Sequence, residues 1–280
     1  MTSMINKGTL SGHVDMLKKN FESFSVSFPN TYLAAEYLND LFDQLFSSQV
    51  SVHQGRLWED ESIKMLFGSF ISWIQAFLMT STGLGDLGLM ALRRSIEYAC
   101  YIAKIKDSDD RATLWLTRND SQETRKKFNG QFGVPRTFFD DKYDHLRYLL
   151  VWHEHASDFG VHGNFANLVA KIRDEVKSPS IVMSLQDDPK HVPLSTGTAL
   201  LAGYFIVEAI TKDLHDLMNK PDEFSGHLEV FMNMLRDSRH EVAQYDLQGA
   251  VPLEVRKVIN SGDFSGLNVL YEELKHAYER

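Results

Sequence analysis

Cysteine is nearly absent from this sequence, since Cys100 is its single example in 280 residues. One cysteine cannot form a disulfide within the chain, and such sparing use is typical of proteins from reducing compartments. The segment Met1–Asn20 lacks an apolar run after its basic residues, which argues against a signal peptide. These two absences predict a cytoplasmic protein.

An excess of positive charge is also missing. The chain has 29 lysines and arginines against 38 aspartates and glutamates, a formal net charge of -9. Broad binding to DNA needs concentrated positive charge for the phosphates, so we expect none. The stretch Arg93–Lys127 departs from the average with nine basic and six acidic residues, whereas Asp222–Arg280 has six basic and eleven acidic residues. The basic stretch is typical of a solvated helix surface, although a local basic face could meet a phosphate.

Charged residues are missing from Met65–Gly85, a run that is long enough to span a bilayer. Serines, threonines and glycines dilute its apolar residues, and a second apolar run at Val192–Val207 is interrupted in the same way. Two buried helices packed against each other explain both runs. We therefore expect no contact with a membrane.

Apolar residues recur at spacings of three and four through most of the chain, which predicts helices almost throughout. We predict an all-α fold, an irregular multi-helix bundle built around two long apolar helices. We predict a single domain over residues 1–280, in which 222–280 could be a small acidic C-terminal extension. Phe138–Phe159 is predicted as one helix, and Ile181–Leu185 as an extended loop without a strand partner.

The segment Gly83–Gly88 matches the G-x-G-x-x-G fingerprint of dinucleotide sites, and Asp107 follows at about the distance of a ribose-binding acid. That fingerprint needs a strand before its glycines, whereas Phe70–Met79 has the apolar spacing of a helix. We therefore interpret the glycines as a tight turn between two helices and predict no cofactor.

Four of the eleven histidines lie in Asp144–Asn164, with carboxylates between them. Imidazole titrates near neutral pH, so this segment is the candidate for proton-transfer, phosphate or metal chemistry. Arg147 and His153 are separated by five residues, a spacing that lets a helical arginine hold a phosphate near an imidazole. The alternative without chemistry is that the apolar residues pack the core while the polar ones cap the helix end.

A metal site is a further alternative in the same segment. His155, Asp158 and His162 have the spacing i, i+3 and i+7, which forms one stripe on a helix. Imidazole and carboxylate are ligands of transition metals. The stripe would need a further ligand from another helix, which Glu97 or Glu208 could supply.

Two segments, Leu92–Glu97 and Ser157–Gly163, together resemble an uncharacterised bacterial all-helical family that is distantly similar to HEPN domains. The family has an arginine and a glutamate on one helix, followed one or two helices later by a serine-containing segment that ends in histidine. The resemblance implies a polar cluster, whose matching residues here are Arg94, Glu97, Ser157 and His162.

Many HEPN domains are metal-independent RNases of toxin and phage-defence systems, with four to six residues between an arginine and a histidine. Arg147 and His153 match this spacing, and with His162 they are the catalytic candidates that the resemblance implies. HEPN nucleases generally place a small polar residue after the arginine, where this sequence has Tyr148. Their catalytic residues meet across a dimer, so the resemblance implies RNA and a second copy of the chain as partners.

Three hypotheses of function follow. The first is a HEPN-like RNase of defence or stress response, with His153 as general base toward a ribose 2'-hydroxyl and Arg147 on the scissile phosphate. The second is a non-catalytic interaction module in which the polar cluster is structural. The third is a metal-dependent hydrolase or oxidase that uses the two histidines and the aspartate of the metal stripe.

Overall fold

The computed structural model describes residues 10–49, 55–157, 172–173, 182–183, 192–243 and 263–279. The α-helices, in chain order, are α1 (Leu10–Ser27), α2 (Pro29–Gln44), α3 (Leu57–Ser81), α4 (Gly85–Ile105), α5 (Asp109–Leu116), α6 (Gln122–Phe132), α7 (Arg147–Ala156), α8 (Val192–Asp213), α9 (Pro221–Ala243) and α10 (Ser265–Glu279). A π-helical turn, Leu45–Gln49, follows α2. Turns of 3-10 helix at Asp141–Leu146 and His215–Leu217 precede α7 and follow α8.

The predicted all-α fold is confirmed, and the two long apolar helices are α3 and α8. Both pack against α4, while α2 and α9 cover another side of α8. Trp73 on α3 is almost fully buried and donates its indole Nε1–H to the carbonyl of Ala199 on α8 at 3.0 Å. An indole N–H in a core needs such a partner, so this hydrogen bond fixes the contact between the two apolar helices.

Small residues permit a close approach of α3 and α4, which form a helical hairpin. Buried Ser69 and Ser95 each donate a hydroxyl to the other's backbone carbonyl, at 2.9 and 2.8 Å. A Cβ on Gly88 would lie 2.4 Å from Cγ2 of Thr80, so only glycine fits at this crossing. The short turn after α3 makes the two helices antiparallel neighbours.

The turn between α3 and α4 explains the apparent dinucleotide fingerprint. Gly83 has a φ of +84°, in the left-handed region that favours glycine, and α3 rather than a strand precedes it. The interpretation of these glycines as a helix–helix turn is therefore confirmed.

The predicted single helix over Phe138–Phe159 is wrong in its first part. The chain there is irregular up to the 3-10 turn at Asp141–Leu146, and α7 begins only at Arg147. The ammonium group of Lys104 on α4 donates a hydrogen bond to the carbonyl of Thr137 at 2.7 Å. Its Nζ also lies 4.3 Å from the centre of the Phe138 ring. These contacts hold the irregular stretch against α4, which local spacing of apolar residues cannot show.

The prediction that Ile181–Leu185 is an extended loop without a strand partner is wrong in part. Val182–Met183 forms a two-residue antiparallel ladder with Ile172–Arg173, so part of the predicted loop does have a strand partner. β-Branched residues favour extended backbone, which agrees with valine and isoleucine at these positions. A ladder of this size leaves the fold class unchanged.

One described helix, α3, has the length and hydropathy of a membrane-spanning helix, and 44% of its 18-residue apolar window is buried in the bundle. The core helix of a globular protein meets the same criteria, so the expected absence of membrane contact stays a prediction. The single-domain organisation and the acidic extension over 222–280 also stay predictions. Within that stretch, α9 packs on α2 and α8, and α10 packs on α7.

Candidate functional site

The histidine segment meets the α4 helix through a pair of polar side chains. His153 of α7 places Nε2 at 3.2 Å from Oε1 of Glu97. Arg93, one turn before Glu97 on α4, donates its Nε–H to the same carboxylate oxygen at 3.0 Å. We call these three residues the Arg93–Glu97–His153 cluster. They join two helices that are 56 positions apart in sequence at this contact.

Glu97 is ionised at neutral pH in this arrangement. Burial by itself would raise the pKa of its carboxyl group, but the hydrogen bond from His153 and the nearby Arg93 guanidinium lower it, and the lowering wins. An ionised carboxylate can only accept hydrogen bonds. The proton at the contact must therefore be on Nε2 of His153, which donates to Glu97.

The other ring nitrogen of His153 has no hydrogen-bond partner among the described residues, and the side chain is only 2% exposed. In a neutral imidazole with its proton on Nε2, Nδ1 carries a free lone pair. A carboxylate that fixes the tautomer and orientation of an imidazole is the arrangement that general bases and metal-binding histidines share. The cluster can thus hold a proton acceptor in one orientation.

Arg147, the predicted phosphate ligand, lies elsewhere on the surface of α7. Its Nη2 forms an ion pair with Asp144 at 3.0 Å, and its guanidinium lies 5.5 Å from the centre of the Tyr148 ring. None of the contacts among the described residues joins Arg147 to His153. The structure therefore brings His153 to Glu97, rather than to the arginine with the matching spacing.

Of the predicted polar cluster, the structure describes Arg94, Glu97 and Ser157. Arg94 is exposed, and the neighbouring Arg93 forms the ion pair with Glu97. Ser157 is buried and donates its hydroxyl to the carbonyl of His153 at 2.7 Å, as a residue that ends α7. His162 lies outside the described residues.

Of the predicted metal stripe, only His155 is described, because Asp158 and His162 lie outside the described residues. Burial lowers the pKa of His155 to about 4, so this imidazole is neutral at physiological pH. Its ring packs edge-on against Trp152 at 5.7 Å. Glu208, a suggested additional ligand, receives a hydrogen bond from Lys212 at 2.9 Å. Within the described ranges, no three histidine, cysteine, aspartate or glutamate residues are grouped to hold a metal ion.

A shallow groove of about 410 Å³ lies beside the cluster on the outer side of α3 and α4. Both Arg93 and Glu97 line it, so one edge of the cluster faces this groove. Further residues along it include Gln75, Met79, Leu87, Met90 and Arg94. The lining of the groove thus includes apolar side chains, a glutamine, a glutamate and two arginines.

Two features of this region were not predicted from the sequence. Arg93 rather than Arg94 pairs with Glu97, a choice that the i+4 spacing could have suggested. His145 makes a second histidine–carboxylate contact, with Asp213 at 3.0 Å, and so links the start of the histidine segment to the end of α8. Nothing in the local pattern of residues signals that long-range pair.

Comparison of the chain with protein-family models, curated proteins and solved structures gave no match. The resemblance to HEPN domains therefore stays a prediction.

Proposed function

We propose that this protein is a HEPN-like, metal-independent RNase in which His153 is the general base. The observation that carries the proposal is the fixed orientation of His153 by Glu97, which leaves Nδ1 as a proton acceptor. Arg94 supports it as an exposed cation on the groove that Glu97 also lines. We assign the phosphate contact to Arg94 in place of Arg147, because Arg147 is paired with Asp144.

In this proposal, Nδ1 of His153, which is buried in the free protein, becomes accessible when RNA binds and accepts the proton of a ribose 2'-hydroxyl. The 2'-oxygen attacks the adjacent phosphorus, the bond from phosphorus to the 5'-oxygen breaks, and the protonated imidazole returns a proton to that leaving oxygen. The products are a 2',3'-cyclic phosphate and a 5'-hydroxyl. Glu97 is a positioning residue, which also stabilises the imidazolium while it exists. Arg94 stabilises charge on the phosphate oxygens. An RNA partner and a cytoplasmic location belong to the same proposal.

The test is cleavage of single-stranded RNA in the presence of EDTA. We expect His153→Ala to lower the rate by about 100-fold or more, the usual contribution of a general base. Arg94→Ala should also reduce cleavage, whereas Arg125→Ala, which removes an exposed arginine of α6, should not. Circular dichroism would check that each variant is folded. Cleavage that persists in a folded His153→Ala protein would remove His153 from the mechanism, and inactive wild-type protein would overturn the proposal.

The burial of His153 favours a second candidate, a non-catalytic interaction module in which the Arg93–Glu97–His153 cluster is structural. A side chain that is only 2% exposed is well placed to join α4 to α7, because its end of the pair is shielded from water. In this case His153→Ala should lower the melting temperature without an activity to lose. A wild-type chain that cleaves RNA in EDTA, with His153→Ala folded but inactive, would contradict this candidate.

A further inference from the structure

A second groove, of about 560 Å³, is lined by α8, by α9 and by Phe264, the residue before α10. None of the described residues that line it also lines the groove beside the Arg93–Glu97–His153 cluster. Small-molecule sites are concave spaces of this size, in which apolar side chains hold the ligand and a few polar groups orient it. We call this space the α8–α9 groove.

The aromatic side chains of the α8–α9 groove are held in place by neighbouring rings. The ring of Tyr204 lies nearly parallel to that of Phe231 at 6.1 Å and edge-on to that of Phe205 at 5.2 Å. Phe264 also packs edge-on against Phe205, at 5.6 Å. Leu228 of α9, which is 7% exposed, adds an aliphatic side chain to the lining. Because these groups lose little freedom on binding, the groove is preorganised for an aromatic ring.

Charged side chains of both signs line the same groove. Glu229 and Arg236 of α9 lie seven residues apart, on one face of the helix and roughly 10 Å apart along its axis. Glu208 of α8 is paired with Lys212 at 2.9 Å, whereas neither Glu229 nor Arg236 forms an ion pair within the part of the chain that the structure describes. Arg236 donates to the amide oxygen of Asn233 at 3.1 Å, which leaves other N–H groups of its guanidinium for a ligand. The groove therefore presents one carboxylate and one guanidinium whose charges are not neutralised by a described residue.

The hydroxyl group of Tyr204 lies within the influence of these charges. Burial, together with the carboxylates of Glu208 and Glu229, raises the pKa of Tyr204 to about 12, against a smaller opposing effect of Arg236. The phenol therefore keeps its proton at physiological pH and can donate a hydrogen bond. A hydrogen-bond donor, a cation and a carboxylate are thus grouped around one apolar space.

We propose that the α8–α9 groove binds a free aromatic amino acid. Its ammonium group binds Glu229, and its carboxylate binds Arg236 and the hydroxyl of Tyr204. Its ring packs against Phe264 and Leu228. Two charge-assisted hydrogen bonds and the backbone of one amino acid span about 8 Å, a distance that the flexible side chains of the two charged residues can match.

The opposite signs of the two charges select this class of ligand. An organic anion would leave Glu229 unmatched beside the apolar space, and an organic cation would leave Arg236 unmatched. A zwitterion matches both, and the aromatic rings of the groove favour an aromatic side chain over a small one. The inference rests on this groove alone and not on the proposed nuclease activity.

Analogues that lack one charge test the assignment by isothermal titration calorimetry on the full-length protein. L-phenylalanine is the probe, and we expect it to bind with a Kd below about 1 mM. Phenethylamine lacks the carboxylate and 3-phenylpropionate lacks the ammonium group, so each should bind about tenfold more weakly or less tightly still. Glycine, which has both charges but no ring, should give no binding over the same concentrations.

Two variants assign each charge of the ligand to its side chain. Glu229→Gln should weaken the binding of L-phenylalanine about tenfold without weakening that of 3-phenylpropionate, which has no ammonium group. Arg236→Gln should weaken L-phenylalanine equally without weakening phenethylamine, which has no carboxylate. Both positions are exposed, so both variants should keep the wild-type circular dichroism spectrum. Arg125→Gln, exposed on α6, is the control and should bind L-phenylalanine like the wild type.

Three results would overturn the proposal. The first is the absence of saturable binding of L-phenylalanine in the millimolar range. The second is an analogue that binds as tightly as L-phenylalanine, because the groove would then take an organic cation or an organic anion instead. The third is wild-type affinity in both groove variants, which would place the bound amino acid elsewhere on the protein.

Discussion

Glu97 accepts hydrogen bonds from Arg93 and His153 although its side chain is largely buried. It is therefore the central residue of the cluster. A partly buried carboxylate is stable only when its charge is matched and its lone pairs are used. Arg93 matches the charge, and Arg93 and His153 both donate to the same oxygen, Oε1, at 3.0 and 3.2 Å. Removal of the Glu97 charge should therefore weaken the contact between α4 and α7.

The first prediction concerns the pH dependence of this contact. The folded pKa of Glu97 is lower than its unfolded value, so its stabilising contribution is present above the ordinary glutamate pKa and is lost as pH falls through the folded value. We expect Glu97→Gln to lower the free energy of unfolding by about 1–2 kcal/mol at neutral pH. The difference from wild type should shrink below about pH 4. Urea unfolding across the acid range measures it, with exposed Glu123→Gln as the control, and a difference that is constant with pH would contradict the assignment.

The second prediction concerns Lys104, an ammonium enclosed by aromatic rings. Burial, with help from Lys142 and Arg111, lowers its pKa to about 8. The unfolded chain therefore holds more protons between about pH 8 and the ordinary lysine pKa, and stability should rise with pH in that window. From about pH 7.5 to 9.5 the gain is of the order of 1–2 kcal/mol relative to Lys104→Met, in which this titration is absent. Urea unfolding at several pH values measures the gain. Exposed Lys127→Met should follow the wild type, and equal slopes for all three proteins would contradict the shifted pKa.

At the scale of secondary-structure elements, the α3–α4 hairpin depends on the absence of a side chain at one position. In Gly88→Ala, the added Cβ would lie 2.4 Å from Cγ2 of Thr80 and 2.9 Å from the carbonyl oxygen of Ala76. The helices must separate to admit it, so we expect a loss of about 1–3 kcal/mol in spite of the better helix propensity of alanine. Gly130→Ala on α6 is the matched control, because its Cβ would meet nothing within 4 Å. Gly130→Ala should leave stability unchanged or raise it. The denaturant midpoints of the two variants test this, and equal midpoints would contradict the prediction.

The elements that sequence predicts well are those with a long periodic pattern. The apolar runs within α3 and α8 and the glycine turn after α3 could be read from local spacing, because burial of a helix face repeats every three to four residues. The stretch before α7 could not, since Lys104 holds it through contacts made across the bundle. The short ladder at Val182–Met183 also depends on a partner strand ten residues away.

In the candidate site too, the residues could be predicted from the sequence but their contacts could not. His153 and Glu97 were both selected from the sequence, as a catalytic candidate and as part of a polar cluster, yet their direct contact was not predicted. The polar cluster included Arg94, three residues before Glu97, whereas the ion pair in the structure is formed by Arg93, four residues before it. Both spacings are compatible with an ion pair on a helix, so only the orientation of α4 in the bundle decides between them. Arg147 has the spacing from His153 that is typical of HEPN domains. In the structure, however, its guanidinium pairs with Asp144.

At the scale of the whole molecule, the packing of α10 links the acidic C-terminal part to the rest of the bundle. Leu267 is fully buried, and Tyr271 of α10 packs its ring against Phe139 at 6.1 Å. The phenol of Tyr278 donates to the carboxylate of Glu154 on α7 at 3.2 Å. Because α7 also carries His153, the docking of α10 and the Arg93–Glu97–His153 cluster act on the same short helix.

The last prediction is that Leu267→Ala destabilises the entire bundle. Removal of a fully buried leucine costs about 2–5 kcal/mol, and if α10 is part of one cooperative unit this loss shifts the whole unfolding transition. Tryptophan fluorescence, which reports on buried Trp73 and Trp152, should then shift together with far-ultraviolet circular dichroism. Val269→Ala, on the same helix but 55% exposed, should change the midpoint little. A fluorescence transition that stays at the wild-type midpoint, with only a small early loss of helical signal, would instead make α10 part of an independently unfolding extension.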